Sequence, residues 1–148
     1  MGYYVETEDS TAVLPAEHLD TAYAAMCKLN NDNELKRGGS FGRDIPEAPR
    51  FGAHPSKWFS WMDWNYPDTC PDAAAILEQI GFGTHFDDKG NLHIDWYSSK
   101  TGQEDLFLGA IAKYLTGYIV WRGEDGSVWR DTFDDGEMKS ETGRLVFE

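Results

Sequence analysis

Three short acidic segments, each bearing glycine, cut the C-terminal half of the chain into strand-length pieces: Asp87-Asp88-Lys89-Gly90-Asn91, Gly123-Glu124-Asp125-Gly126 and Asp134-Asp135-Gly136. Turns this short return the chain alongside itself, so each implies an antiparallel hairpin, whereas a parallel pair would need a long crossover. The pieces themselves read as strands: Thr84-His85-Phe86, Leu92 to Tyr97, Tyr118 to Arg122, Ser127 to Phe133, Glu137 to Lys139, and a last short one at Leu145-Val146-Phe147. In the second, alternation sets Leu92, Ile94 and Trp96 on one face and His93, Asp95 and Tyr97 on the other. That is the pattern of a half-buried strand.

Between the hairpins the period becomes helical. From Ala16 to Leu29, apolar side chains recur at Leu19, Ala22, Tyr23, Met26 and Leu29. They form one helical face, with Pro15 ahead of it, Glu17 and Asp20 near its start and Lys28 near its end. Asn30-Asn31-Asp32-Asn33 stops it. A second helix carries Ala73, Ile76, Leu77 and Ile80, with Thr69 as N-cap, Pro71 and Asp72 in the first turn, and Gly81 and Gly83 as the stop. A third runs from Gln103 to Leu115 and turns Phe107, Ala110, Ile111 and Tyr114 inward. At the start of the chain, Tyr3-Tyr4-Val5 and Ala12-Val13-Leu14 flank a polar stretch and read as a β-hairpin or a bent strand. A chain of 148 residues is the material of one domain. The element order predicts an α+β fold: one antiparallel sheet, of hairpins plus a C-terminal meander, packed against two or three helices.

Acids outnumber bases 26 to 13, for a net charge of −13. Such a balance repels phosphate and argues against direct nucleic-acid binding and against polybasic attachment to a membrane. An aromatic content of 14% argues against an acidic disordered tail. The first residues show neither the basic nor the apolar region of a signal peptide. The longest apolar run, Ala22 to Cys27, is far short of a spanning helix. Cys27 and Cys70 make no disulfide framework and read as reduced thiols, so a cytoplasmic location is expected. The charge is not uniform. Residues 30–57, expected to form a long irregular loop, hold the five bases Lys36, Arg37, Arg43, Arg50 and Lys57 against four acids, a local +1 that leaves −14 on the rest. Loops of this length inside a domain are commonly functional or mobile.

No motif for catalysis stands out, and no catalytic residue, metal ligand or cofactor is expected. Zinc-type His/Cys spacing and a nucleophile elbow are both missing from the sequence. The acidic turns do not follow the alternating ligands of an EF-hand. His85 and His93 face each other across their expected hairpin, with Asp95 nearby; two imidazoles without a third ligand read as surface histidines. Cys70 lies close to an expected helix start, where a thiolate is favoured, and equally reads as a small residue near a cap. Arg37-Gly38-Gly39-Ser40 has neither the spacing nor the lysine of a phosphate loop.

The tryptophans are more informative. Trp58, Trp61 and Trp64 are half of the six in the chain and recur every third residue, with Arg50 and Lys57 just upstream. Tryptophan and arginine are the residues that most often anchor protein interfaces. The plainer reading closes these rings into the core beneath the loop. Arg37, Arg50, Trp58, Trp61 and Trp64 are therefore the candidate partner-binding residues. Two alternatives use other features. A small-molecule or nucleotide binder would close the Gly/Arg loop and the tryptophans over a ligand. An acidic DNA mimic would display carboxylates in phosphate-like rows, for which Glu124, Asp125, Asp131, Asp134 and Asp135 are the nearest set. A solvated acidic surface is the commoner use of such charge.

Several blocks resemble small acidic proteins encoded by actinobacterial phages, prophages and plasmids. They are Gly2-Tyr3-Tyr4-Val5 with Leu14-Pro15-Ala16 and the helix Ala22 to Leu29, then Glu34 to Ser40, Lys57-Trp58-Phe59-Ser60-Trp61, and Trp121 to Gly126 followed by Trp129-Arg130. The resemblance spans most of the chain and supplies no active site or cofactor. It implies a phage-type accessory protein in the bacterial cytoplasm. The functional expectation is a non-enzymatic protein that binds a host or phage macromolecule, with a protein as partner, in an inhibitory or counter-defence role.

Overall fold

The structure is a computed structural model that describes residues 3–40, 50–60 and 62–143. Trp61 and the expected strand at Leu145-Val146-Phe147 lie outside the described residues, as does the 41–49 part of the expected loop. The fold is α+β. Its sheet takes β1 (Tyr4–Ser10), β2 (Val13–Leu14), β5 (Phe82–Phe86), β6 (Leu92–Lys100), β7 (Gly117–Gly123), β8 (Val128–Asp134) and β9 (Glu137–Gly143). A separate ribbon pairs β3 (Gly38–Gly39) with β4 (Lys57–Trp58). The helices are α1 (Leu19–Lys28), α2 (Tyr66–Thr69), α3 (Ala73–Ile80) and α4 (Glu104–Ile111). Residues 30–57 are not structureless where described: 3-10 turns span Leu29–Asn31 and Asn33–Leu35, and Arg50–Gly52 is a turn with Phe51 at φ +51° and Gly52 at φ +62°, beside the ribbon.

All pairings are antiparallel, and the three turn-defined hairpins form as expected: β5–β6, β7–β8 and β8–β9. The opening is the bent strand rather than the hairpin. β1 and β2 do not pair with each other; both run against β6, and on the other side β1 pairs with β7 while Val13 bridges to Thr116. The polar residues that resemble a turn are thus in the centre of the sheet. They are tolerated because they bond to backbone that irregular pairing leaves free. Thr7 Oγ1 accepts the Tyr97 amide, Ser10 Oγ donates to the Ile94 carbonyl, and the β1–β7 register shifts between Thr7 and Asp9.

A second bulge inverts half of β6. Gly83 pairs with Trp96 but Thr84 pairs with Ile94, so Asp95 is an extra residue and the alternation changes phase there. Leu92 and Ile94 face the core as expected, but beyond Asp95 it is Tyr97 that is buried and Trp96 that is 56% exposed. Gly83 is not a helix stop: it sits in β5 against the Trp96 ring, where a Cβ would come within 2.2 Å.

The core joins Val5, Leu92, Ile94, Tyr97, Ile119, Trp121 and Phe133 of the sheet to Ala22, Met26, Ile76, Leu77, Phe107, Leu108 and Ile111 of the helices. The expected faces of α1 and α3 hold. The N-cap of α3 is Asp72, whose side chain accepts the Ala75 amide, while Thr69 ends α2 and bonds to Asp63 and the Asn65 carbonyl. In α4 the buried face is Phe107, Leu108 and Ile111, followed by Ala112 in a 3-10 turn. Among the described residues no helix is long and apolar enough to cross a membrane.

Candidate functional site

The ribbon exists because two glycines allow close approach. Gly38 pairs with Trp58 and Gly39 with Lys57. A Cβ on Gly38 would lie 2.2 Å from Trp58 Nε1, and one on Gly39 would lie 2.8 Å from the Ser56 carbonyl. The indole therefore rests on bare backbone. The Ser40 amide extends the pairing by donating to the Ser56 carbonyl at 2.9 Å.

Two attachments hold the ribbon to the body. Phe59, directly after β4, is fully buried and meets the rings of Phe107 at 5.1 Å and Tyr66 at 6.1 Å. The buried Gln103, at the start of α4, supplies the second. Its Oε1 accepts the amides of Arg37 (3.2 Å) and Ser60 (3.1 Å), and its Nε2 donates to the Leu35 carbonyl (2.6 Å). One side-chain amide thus joins three segments distant in sequence. Nothing in the sequence marks Gln103, since it reads as an ordinary helix-start residue.

Beside the ribbon lies a cleft of about 530 Å³ lined by Lys36, Arg37, Lys57, Ser40, Ser56 and the Gly38–Gly39 backbone, with Glu34 also reaching it. Lys36 is held in place without being neutralised. Its Nζ donates to Asn33 Oδ1 at 2.7 Å and stands 5.7 Å above the Phe59 ring. Burial, and then the charge of Lys57, lower its pKa to about 8. Arg37 has no carboxylate within 4.0 Å among the described residues, whereas Arg50, Arg122 and Arg130 are all ion-paired. Across Arg37 is a second cleft, of about 670 Å³, where Asp105 lies near Thr101 and Gly102. The Asp105 carboxyl is at the surface yet partly desolvated, and burial followed by the charges of Asp131 and Glu104 pushes its pKa up to about 6.

Among the described residues the expected anchors do not form one patch. Trp58 is half-buried in β4, and Trp64 is half-buried with its carbonyl accepting from the fully buried Asn30 at 3.2 Å. The described residues of 58–64 do not form a helix, so Trp58 and Trp64 share no helical stripe; Phe59 and Met62 of this segment, and Tyr66 just after it, enter the core. Arg50 is engaged within its own chain. Its Nη1 bonds Asp68 Oδ1 at 2.7 Å, and its guanidinium stands 5.2 Å over Phe51. That pairing raises the Arg50 pKa and lowers that of Asp68. Of the expected residues, the ribbon brings together Arg37 and Trp58.

Other titratable groups have internal partners. His85 and His93 face each other across the hairpin, stacked at 4.5 Å, but each takes its own carboxylate: His85 Nδ1 with Asp95 Oδ2 at 2.6 Å, His93 Nε2 with Asp87 Oδ2 at 2.9 Å. The bond from His93, with backbone amides of Asn91 and Lys89, holds Asp87 well below the usual carboxylate range. Among the described residues no group of three or more His, Cys, Asp or Glu is arranged to hold a metal ion. Cys27 and Cys70 are free and buried, and burial pushes both thiols up, away from a reactive thiolate. Of the acids grouped near the meander, Asp131 is 2% exposed and turned inward, accepting from Trp121 Nε1 at 3.0 Å and from Ser140 Oγ. Comparison with protein-family models, curated proteins and solved structures finds no match.

Proposed function

We propose that this chain is a non-enzymatic binding protein that engages a protein partner through the Gly38–Gly39/Lys57–Trp58 ribbon. The observation that carries this reading is Arg37, which has no carboxylate within 4.0 Å among the described residues and lines a cationic concavity next to the ribbon that holds the half-buried Trp58, in a chain whose net charge is −13. An arginine without an internal carboxylate is available to a partner, and an indole laid on glycine backbone presents a rigid apolar surface next to it. Arg50 contributes less to such a surface, because Asp68 already occupies it. The resemblance to phage-type accessory proteins would make the partner a host or phage macromolecule in the bacterial cytoplasm, and blocking its activity the role.

A second reading, a small anionic ligand such as a nucleotide, draws on the cleft volume of about 530 Å³ and its glycine backbone. The acidic-mimic reading draws less support, because Asp131 is buried and cannot join a surface row. The test is affinity capture from host or infected cells with the wild-type chain and with Trp58→Ala, Arg37→Glu and Trp96→Ala. Trp96 is an exposed tryptophan on the sheet and serves as the control. Loss of the same partner with both ribbon variants, at unchanged thermal midpoint and with Trp96→Ala still capturing it, is expected. Retention of the partner by both ribbon variants refutes the reading.

A further inference from the structure

We propose that the cleft formed by Lys36, Arg37 and Lys57 around the Gly38–Ser40 backbone is a binding site for a phosphate monoester group. This inference rests on the reading of the ribbon as the recognition surface and names the chemistry that surface takes.

The chain has twice as many acids as bases, and the other described arginines are ion-paired, although no described lysine is. At the ribbon three cations instead line one concavity. None of them makes an ion pair within 4.0 Å among the described residues, although the chain charge favours one. Lys36 is fixed by a neutral amide oxygen and an aromatic face, contacts that orient an ammonium and leave its charge uncompensated. Burial first, and then repulsion from the neighbouring Lys57, lower its pKa. A doubly charged ligand relieves that repulsion; a single carboxylate relieves less of it.

The rest of the lining suits a tetrahedral oxyanion. Ser40 and Ser56 bring hydroxyl donors, and the Gly38–Gly39 backbone lines the same cleft, while the faces where their Cβ atoms would stand are taken by the Trp58 indole and the Ser56 carbonyl. Arg37 adds the planar fork that recognises phosphate. Its amide is fixed by the buried Gln103 and its guanidinium has no ion pair among the described residues, so its base is anchored while its head is available. Among the described residues, Glu34 lines the site, Asp105 shares the adjoining cleft with Arg37, and Asp32 acts on Lys36 through its charge. Asp32 Oδ1 is taken by the Glu34 amide, and its charge favours protonated Lys36. A phosphate monoester is dianionic above about pH 6, which matches the cationic lining at neutral pH.

The phosphate can be carried by a free nucleotide or by a phosphorylated side chain of the partner, and the experiment separates them. The full chain, labelled for NMR, is titrated at low salt with inorganic phosphate, with ADP, with a phosphoserine peptide and with its unphosphorylated form. Expected are saturable shifts at the Gly38, Gly39, Ser40 and Ser56 amides with the phosphate-bearing probes and none with the unphosphorylated peptide. Whichever of ADP and phosphopeptide binds more tightly identifies the source. Arg37→Gln and Lys57→Gln each weaken binding by about tenfold or more, the scale of one charge-assisted bond, at unchanged thermal midpoint. Arg37→Lys recovers part of the loss. Lys113→Gln, on the turn after α4, changes nothing. Binding at pH 8 is accompanied by proton uptake, read by calorimetry in buffers of different ionisation enthalpy, because the anion restores the Lys36 proton. The inference is overturned if no phosphate-bearing probe binds, or if Lys113→Gln weakens binding as much as the ribbon variants. If the probes fail while Trp58→Ala still releases the partner, the phosphate site is wrong and the ribbon surface stands; if Trp58→Ala and Arg37→Glu both keep the partner, the surface itself is wrong.

Discussion

Replacing Gln103 by leucine should loosen the ribbon more than the core. The glutamine is 8% exposed and makes three bonds to backbone, to the Leu35 carbonyl at 2.6 Å and to the Arg37 and Ser60 amides at 3.2 and 3.1 Å, besides a longer one from the Ser60 hydroxyl at 3.5 Å. Leucine has a similar volume and leaves all three backbone groups without that partner. At about 1 kcal/mol net per bond, the loss is roughly 3 kcal/mol, with about 1 kcal/mol recovered by the added apolar burial. A destabilisation of about 2–3 kcal/mol in urea follows, or a fall of roughly 4–12 °C in thermal midpoint for a chain of this size. Hydrogen exchange localises the effect. If 2 kcal/mol is lost to local opening, the Arg37 and Ser60 amides exchange about 30-fold faster, while Ile94 and Ile119 in the sheet follow only the global change. Stability within about 0.5 kcal/mol of wild type, or unchanged protection at Arg37 and Ser60, refutes the assignment of Gln103 as the clamp.

Stability should peak on the acid side of neutrality. Burial raises the Asp131 carboxyl, and burial with the charges of Asp131 and Glu104 raises Asp105 to about 6. The folded state then binds more protons than the unfolded one from roughly pH 4 to pH 6, so stability falls as pH rises through that window. Asp68, Asp87 and Asp125 are shifted down by their bonds to Arg50, His93 and Tyr3, so their contribution is lost as pH falls below about 4. Chemical denaturation from pH 3 to pH 8 reads both arms, and Asp131→Asn should flatten the upper one, since it removes one raised carboxyl and its repulsion on Asp105; an unchanged slope there counts against Asp131 as a source of that arm. Separately, Gly117→Ala should cost more than about 2 kcal/mol in urea denaturation, because Gly117 has φ +91° and a Cβ would sit 2.2 Å from the Thr11 carbonyl oxygen. A loss below about 1 kcal/mol would show that the β1–β7 contact yields there.

The hairpins and helices were legible because each is specified locally. Asp134-Asp135-Gly136 turns wherever it is placed, with Asp135 at φ +53° and Gly136 at φ +78°. α1 and α3 carry their apolar stripes in consecutive turns. The inversion of β6 was not legible, since a bulge at Asp95 arises from how β5 meets β6, and simple alternation assigns Trp96 and Tyr97 to the opposite faces. The tryptophan spacing carries little for a related reason: a three-residue repeat makes a stripe only on a helix, and the described residues of 58–64 are not helical. At the site, Arg37, the Gly38–Ser40 stretch and the change of charge sign all stood out in the sequence. The joining of Lys36 and Arg37 to Lys57 did not, because two-residue strands have no periodicity to read.

The sequence by itself determined the antiparallel meander, the amphipathic helices, the α+β class and the one stretch where an acidic chain becomes locally basic. Turn chemistry and side-chain period act over a few residues, so they survive without a tertiary context. Only the tertiary structure decided that polar β1 lies inside the sheet, that Trp96 faces solvent while Tyr97 is buried, and that Gln103 clamps the ribbon. It also decided that three cations, separated by up to 21 positions in the chain, line one cleft. Each of these depends on pairing between distant segments, where closing the loop and satisfying buried backbone outweigh local preference.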